Sequence, residues 1–81
     1  MEVKLFVREN CPLCPAARRA CDGIVNLSVY DVGDVDGLAE ASLWGVLTTP
    51  SVLVVDSTGR EVARWGGQPP DPSELRSLLS S

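Results

Sequence analysis

Two cysteines spaced two residues apart, Cys11-Pro12-Leu13-Cys14, sit where an apolar run stops and a helical pattern starts, and this pair limits the chain more than any other feature. Upstream, Val3-Lys4-Leu5-Phe6-Val7 is rich in β-branched and aromatic residues and bounded by charge, which predicts a short buried strand. Downstream, Ala16 to Ile24 supplies helix-forming alanines and arginines. The apolar residues Leu13, Ala17, Ala20, Cys21 and Ile24 recur there at three- and four-residue steps. The pair is therefore expected on a strand-to-helix turn, with Cys11 at the N-cap and Pro12 at the first helical position, where a missing N–H costs nothing.

A thiol is nucleophilic as its thiolate, and the unpaired N–H donors and partial positive charge of a helix N-terminus favour that anion. This placement predicts a lowered pKa for Cys11. Cys14, one turn further in, is within reach of a disulfide with Cys11 and is expected to be the more shielded, resolving thiol. Cys21 lies seven residues after Cys14, on about the same helix face, and reads as a small buried apolar residue.

Several function classes drop out on composition. Seven basic against eleven acidic residues give a net charge of −4, the wrong sign for a nucleic-acid surface. Arg8, Arg18 and Arg19 nevertheless gather around the cysteine pair, a basic rim that would suit an acidic partner surface and help a thiolate. The chain has no histidine, which removes Ser-His-Asp and Cys-His catalysis and leaves a metal site built on Cys11, Cys14 and Cys21 one ligand short. No basic start leads into a long apolar segment, and no run approaches the ~20 apolar residues of a membrane span. A cytoplasmic protein without membrane contact is expected, and three cysteines in that setting point to metal-binding or redox use, not to a disulfide-stapled fold.

The remaining pattern predicts one domain spanning residues 1–81. Asp22-Gly23 should stop the first helix, and the alternation from Val25 to Val32 predicts a second strand, parallel to the first by the handedness of βαβ units. Gly33 to Gly37 reads as a turn, with Asp36 capping a helix over Leu38 to Leu43 that ends at Trp44-Gly45. Trp44 is expected to pack on the sheet. Ser51 to Val55 should be a central strand, and Ser57-Thr58-Gly59 a hairpin turn into Glu61 to Trp65. A short helix over Ser73 to Leu79, capped by Asp71 or Ser73, completes the order β-α-β-α-β-β-α.

That order, with a CxxC opening the first helix, Thr49-Pro50 before the third strand and Gly66-Gly67 after the fourth, resembles the thioredoxin/glutaredoxin family over the whole chain. The resemblance implies an α/β thioredoxin-like fold, a four-stranded mixed sheet flanked by three helices. It also implies a thiol–disulfide oxidoreductase in which Cys11 attacks a protein disulfide and Cys14 resolves the mixed disulfide. The Cys11–Cys14 redox disulfide would be the only prosthetic device needed, with no cofactor and no metal. By the same resemblance Pro50 is cis, and Thr49 offers its backbone to a substrate that also meets Pro12, Leu13, Gly66 and Gly67. Thioredoxins place a Trp directly before the first cysteine and a buried acid six residues before it, where this chain has Asn10 and Leu5. Arg8 is similar instead to a basic residue that glutaredoxins place three before that cysteine, where it would tune the thiol. The stretch Trp65-Gly66-Gly67-Gln68-Pro69-Pro70-Asp71 resembles the Trp-Ser-Gly-x-x-Pro-Asp of glutaredoxin-like electron donors to ribonucleotide reductase. The expected partners are disulfide-containing proteins and a reductant of the thioredoxin-reductase type, or glutathione if the chain is a glutathione-dependent glutaredoxin. A monomer is the expected working unit. Pro15 departs from the family pattern, since it removes the N–H that would bond back to the Cys11 carbonyl and restricts Cys14, so a looser or shifted first turn is expected.

Overall fold

β1 (Glu2–Val7) runs through the middle of the molecule and is buried from Val3 to Val7. The computed structural model describes residues 1–80, in which β1 is followed by α1 (Cys14–Ala20), β2 (Leu27–Asp31), α2 (Val35–Leu43), β3 (Ser51–Val55), β4 (Glu61–Gly66) and α3 (Pro72–Ser80). The four strands form one sheet in the order β2-β1-β3-β4. β1 is parallel to β2 and antiparallel to β3, and β3 is antiparallel to β4. This is the predicted element order and the predicted mixed sheet. No helix among the described residues is long and apolar enough to cross a membrane.

Alternation along the central strands divides the interior into two cores. Val3, Leu5 and Val7 of β1, with Val52 and Val54 of β3, face α1 and α3, where Ala17, Cys21 and Leu75 close the layer and both Cys11 and Cys14 join it. Phe6 and Leu53 point the other way, onto Ala41 of α2, with Tyr30, Val32, Trp44 and Val46 packed around them. Trp44 thus packs against the sheet, as its size predicts.

Several element boundaries differ from the sequence reading, and three of them have a clear local reason. β2 begins at Leu27 and not Val25, because its register with β1 opens at Val3↔Leu27, and Val25 is left exposed. α1 stops at Ala20, where the Cys21 N–H donates to the Ala17 carbonyl at 3.2 Å and Gly23 turns the chain at φ 81°. α2 begins at Val35 with Asp34 at the N-cap position, its carbonyl accepting from the Leu38 N–H at 2.9 Å, so Asp36 lies inside the first turn and does not cap. That earlier start puts Gly37 against the end of β2, where a Cβ would overlap the carbonyl of Asp31. At the far end, Asp71 caps α3, its Oδ1 accepting from the Ser73 N–H at 2.9 Å and the Ser73 hydroxyl at 2.8 Å.

How Lys4 is used has no signature in the local residue pattern. It is buried on the α2 side of β1, where its ammonium donates to Glu40 at 2.9 Å and to the Tyr30 hydroxyl at 3.4 Å, reaches Glu2 at 3.5 Å, and lies 5.3 and 5.6 Å from the Tyr30 and Trp44 ring centroids. Burial opposes the ammonium, but the bonds to Glu40 and Tyr30 outweigh it and raise the lysine pKa. The Lys4 hydrogen bond in turn holds the Glu40 carboxyl below the usual glutamate value, helped by the Trp44 indole N–H at 3.1 Å.

Two predictions follow from this packing. Gly37→Ala should lose about 1–3 kcal/mol in urea unfolding, since the helix must back away from β2. An unchanged midpoint would mean that α2 does not sit this close. A carboxyl depressed by folding contributes stability above its unfolded pKa of about 4.3, and that contribution disappears as pH falls through the folded value. Glu40→Gln should therefore lower the melting temperature at pH 7 and flatten the loss of stability below about pH 4. Parallel acid profiles for parent and variant would contradict this.

Candidate active site

The candidate site is built at the C-terminal end of β1, where the chain leaves the sheet through Arg8-Glu9-Asn10. Asn10 adopts φ 58°, a left-handed conformation that asparagine tolerates better than most residues, and this bend delivers Cys11 back toward the first core. Cys11 and Cys14 are joined in a disulfide with Cα atoms 5.4 Å apart. The Cys14 N–H donates to the Cys11 carbonyl at 3.3 Å, closing a single turn before the helix proper.

The predicted N-cap role of Cys11 is not what the structure shows. α1 starts at Cys14, Leu13 occupies the N-cap position without a side-chain cap, and Pro15 falls within the first turn. Pro15 is the physical reason: lacking an N–H, it fits where helical N–H groups have no partner anyway, and this slides the helix start past Cys11. The shift also takes Leu13 out of the apolar helix face. Its side chain is 46% exposed and lies with exposed Pro12 at the rim of the disulfide.

Both sulfur-bearing residues are largely covered, with Cys11 9% and Cys14 5% exposed. A cavity of about 320 Å³ opens beside them, lined by Arg8, Asn10, Cys11, Cys14, Arg18 and Asp31 among others. Arg8 and Arg18 therefore line the cavity beside the disulfide, together with the acidic Glu9 and Asp31, whereas Arg19 does not.

Arg8 also connects this cavity to the loop before β3. Its Nε donates to the Thr49 hydroxyl at 2.9 Å, while Nη1 reaches the Glu9 carbonyl at 3.5 Å. The Thr49–Pro50 peptide is cis. The Pro50 carbonyl accepts from the Gly67 N–H at 2.8 Å, and the Thr48 carbonyl from the buried Ser51 hydroxyl at 2.7 Å. Among the described residues, the N–H and carbonyl of Thr49 itself make no hydrogen bond. Gly67, at φ 80°, and Gly66 back onto the Thr48 side chain, so the Gly-Gly pair borders the same loop. Arg8, Pro12, Leu13, Thr49, Pro50, Gly66 and Gly67 thus all lie around one end of the sheet with the two cysteines. Sequence reasoning missed Asn10, Thr48 and Ser51, although an Asn directly before a cysteine turn is a recognisable left-handed signal.

Cys21 is separate from this site. It is fully buried in the first core, carries no disulfide, and burial alone pushes its thiol up to about 11. Among the described residues no three His, Cys, Asp or Glu side chains are grouped to hold a metal ion. At pH 8 a thiol with that pKa is ionised in only about one molecule in a thousand. After reduction, iodoacetamide should label Cys11 and Cys14 in the native protein and reach Cys21 only after denaturation. Equal native labelling of all three would contradict the burial of Cys21.

No protein-family model and no curated protein matches the sequence. Solved structures do match in three dimensions. Thioredoxin 1 of Thermosipho africanus superposes with a TM-score of 0.72 over 99% of this chain and 91% of its own, at 20% identity. A thioredoxin-fold protein of Helicobacter pylori gives 0.74 over 98% of this chain and 66% of its own, at 14% identity. The glutaredoxin-like NrdH-redoxin of Escherichia coli gives 0.63 over 96% of this chain and 95% of its own, at 25% identity. Matched almost end to end by proteins of this kind, the chain has the fold of the thioredoxin/glutaredoxin-like superfamily.

Proposed function

We propose that the chain is a thiol–disulfide oxidoreductase that reduces disulfides in other proteins, with Cys11 as nucleophile and Cys14 as resolving thiol. The observation that carries this reading is the Cys11–Cys14 disulfide, opening onto a cavity whose Arg8 wall is bonded to Thr49, a residue with unpaired peptide groups. Free peptide groups at Thr49, at the same end of the sheet as the disulfide, suit an extended polypeptide that pairs through its own backbone while its sulfur meets Cys11.

In the reduced protein the Cys11 thiolate attacks one sulfur of the substrate disulfide. A Cys11–substrate disulfide forms and the other substrate sulfur leaves as a thiolate. Cys14 then gives up its proton and attacks the Cys11 sulfur, closing the intramolecular disulfide and releasing the second substrate thiol. Two electrons and two protons pass to the substrate. An external dithiol reductant returns them, and the neighbouring cationic side chains of Arg8 and Arg18 favour each thiolate in turn. Cys11 has no N-cap seat to add to this stabilisation.

The E. coli NrdH-redoxin is a glutaredoxin-like protein with a thioredoxin-like activity profile, and the Trp65 to Asp71 segment favours the same assignment here. We propose on this basis a protein reduced by a thioredoxin-reductase-type enzyme, with a reductase such as ribonucleotide reductase among its targets, working as a cytoplasmic monomer. Reduction by glutathione is the second reading. In glutathione-dependent relatives the region of Gly66, Gly67 and Asp71 would hold glutathione, and here that reading is disfavoured because Pro69, Pro70 and Pro72 crowd that loop and Asp71 caps α3.

Cys11→Ser should abolish insulin-disulfide reduction, whereas Cys14→Ser should accumulate a stable mixed disulfide through Cys11, detectable by mass spectrometry. Trapping through Cys14 in a Cys11→Ser protein would exchange the two roles, and a main oxidation product of Cys14–Cys21 would sink the assignment. Coupling the parent to thioredoxin reductase and NADPH, or to glutathione and its reductase, separates the two reductants.

A further inference from the structure

The segment from Trp44 to Pro50 brings Thr49 to the site, yet it belongs to no strand, and its root is a helix C-terminus, where carbonyls lack intrahelical donors. Part of that root closes on itself. The Trp44 N–H donates to the Glu40 carbonyl at 3.2 Å, the Gly45 N–H to Ser42 at 3.3 Å and the Val46 N–H to Ala41 at 2.8 Å, with Gly45 at φ 66°. Of the carbonyls left over, those of Trp44 and Gly45 are both taken from across the sheet by Arg64 of β4. Nη2 donates to Trp44 at 2.6 Å and Nη1 to Gly45 at 3.3 Å.

The guanidinium is itself aimed. Glu61, three residues earlier on β4, accepts from Nε at 3.0 Å and from Nη2 at 2.7 Å, a two-point grip that fixes the plane of the group. That bond lowers the Glu61 pKa and raises that of Arg64. An exposed ion pair within one strand contributes little stability by itself. Its geometry suggests another use, because the other end of the same loop is also tied to the end of β4, through the Gly67 N–H on the Pro50 carbonyl. β4 therefore holds this segment at both ends, Arg64 at the root and Gly67 at the tip, while Arg8 and Ser51 hold Thr49 and Thr48 between them.

Resting on the oxidoreductase reading, we propose that Arg64 is a positioning residue for substrate: by holding the Trp44 and Gly45 carbonyls it sets the path of residues 46–49, and so the place at which Thr49 offers its peptide groups. It touches neither sulfur, so the intrinsic reactivity of Cys11 should not depend on it.

Arg64→Ala and Arg64→Lys test this. With dithiothreitol as electron source, Arg64→Ala should raise the KM for insulin about three- to ten-fold, leaving kcat and the iodoacetamide rate of reduced Cys11 within about two-fold of the parent. Lysine keeps the charge but not the fork, so Arg64→Lys should recover only part of the loss. In the same variants hydrogen exchange at the Val46 amide should quicken at least about ten-fold while β1 amides keep their protection. An unchanged KM, full recovery by lysine, a matching fall in kcat and alkylation, or unchanged Val46 exchange would each overturn the proposal. If the parent does not reduce insulin, the oxidoreductase reading fails instead, and Val46 exchange alone then decides whether Arg64 holds the loop.

Discussion

Everything at the functional end depends on a loop that cannot join the sheet and is therefore fastened to it by side chains and single peptide groups. Arg8 reaches Thr49 from the end of β1, the Ser51 hydroxyl holds the Thr48 carbonyl from the start of β3, and Gly67 donates to Pro50 from the end of β4. Each bond is modest, on the order of 1 kcal/mol net. Their value lies in convergence, because three strands agree on the position of three consecutive residues. Thr49 is left as the one member whose peptide groups are not consumed.

The two-core arrangement separates the chemistry from its scaffolding. The cysteines belong to the core shared with α1 and α3, whereas Lys4, Glu40 and Trp44 secure α2 on the opposite face. Both cores meet on β1, whose alternate residues serve them in turn. Lys4 shows what this demands of a central strand: a cation at a buried position is tolerated because two carboxylates, a phenol and two aromatic faces surround it.

Much of this was legible in the sequence. The element order followed from period-two alternation in Ser51 to Val55 and from the apolar spacing after Cys14, and the cysteine pair located the site. The boundaries were not legible, because they depend on partners: Val25 alternates as well as Leu27, but the register with β1 opens at Val3↔Leu27. Pro15 signalled a disturbed first turn without fixing its direction, and only the folded chain shows the helix beginning at Cys14 and leaving Cys11 in the preceding turn. Contacts such as Arg8 with Thr49 or Lys4 with Glu40 join residues roughly forty positions apart. No local pattern encodes such pairs, since spacing along the chain says nothing about a partner that far away.

Cys21 gives a final consequence. A protein passing through mixed disulfides on one sulfur is exposed to interception by any other sulfur nearby, and here the third one lies only seven residues beyond the second. Its seat beneath the helix, reinforced by a proton it will not readily release, makes it a bystander. Packing would thus act as kinetic insulation for the proposed mixed disulfide, leaving it a single intramolecular exit through Cys14.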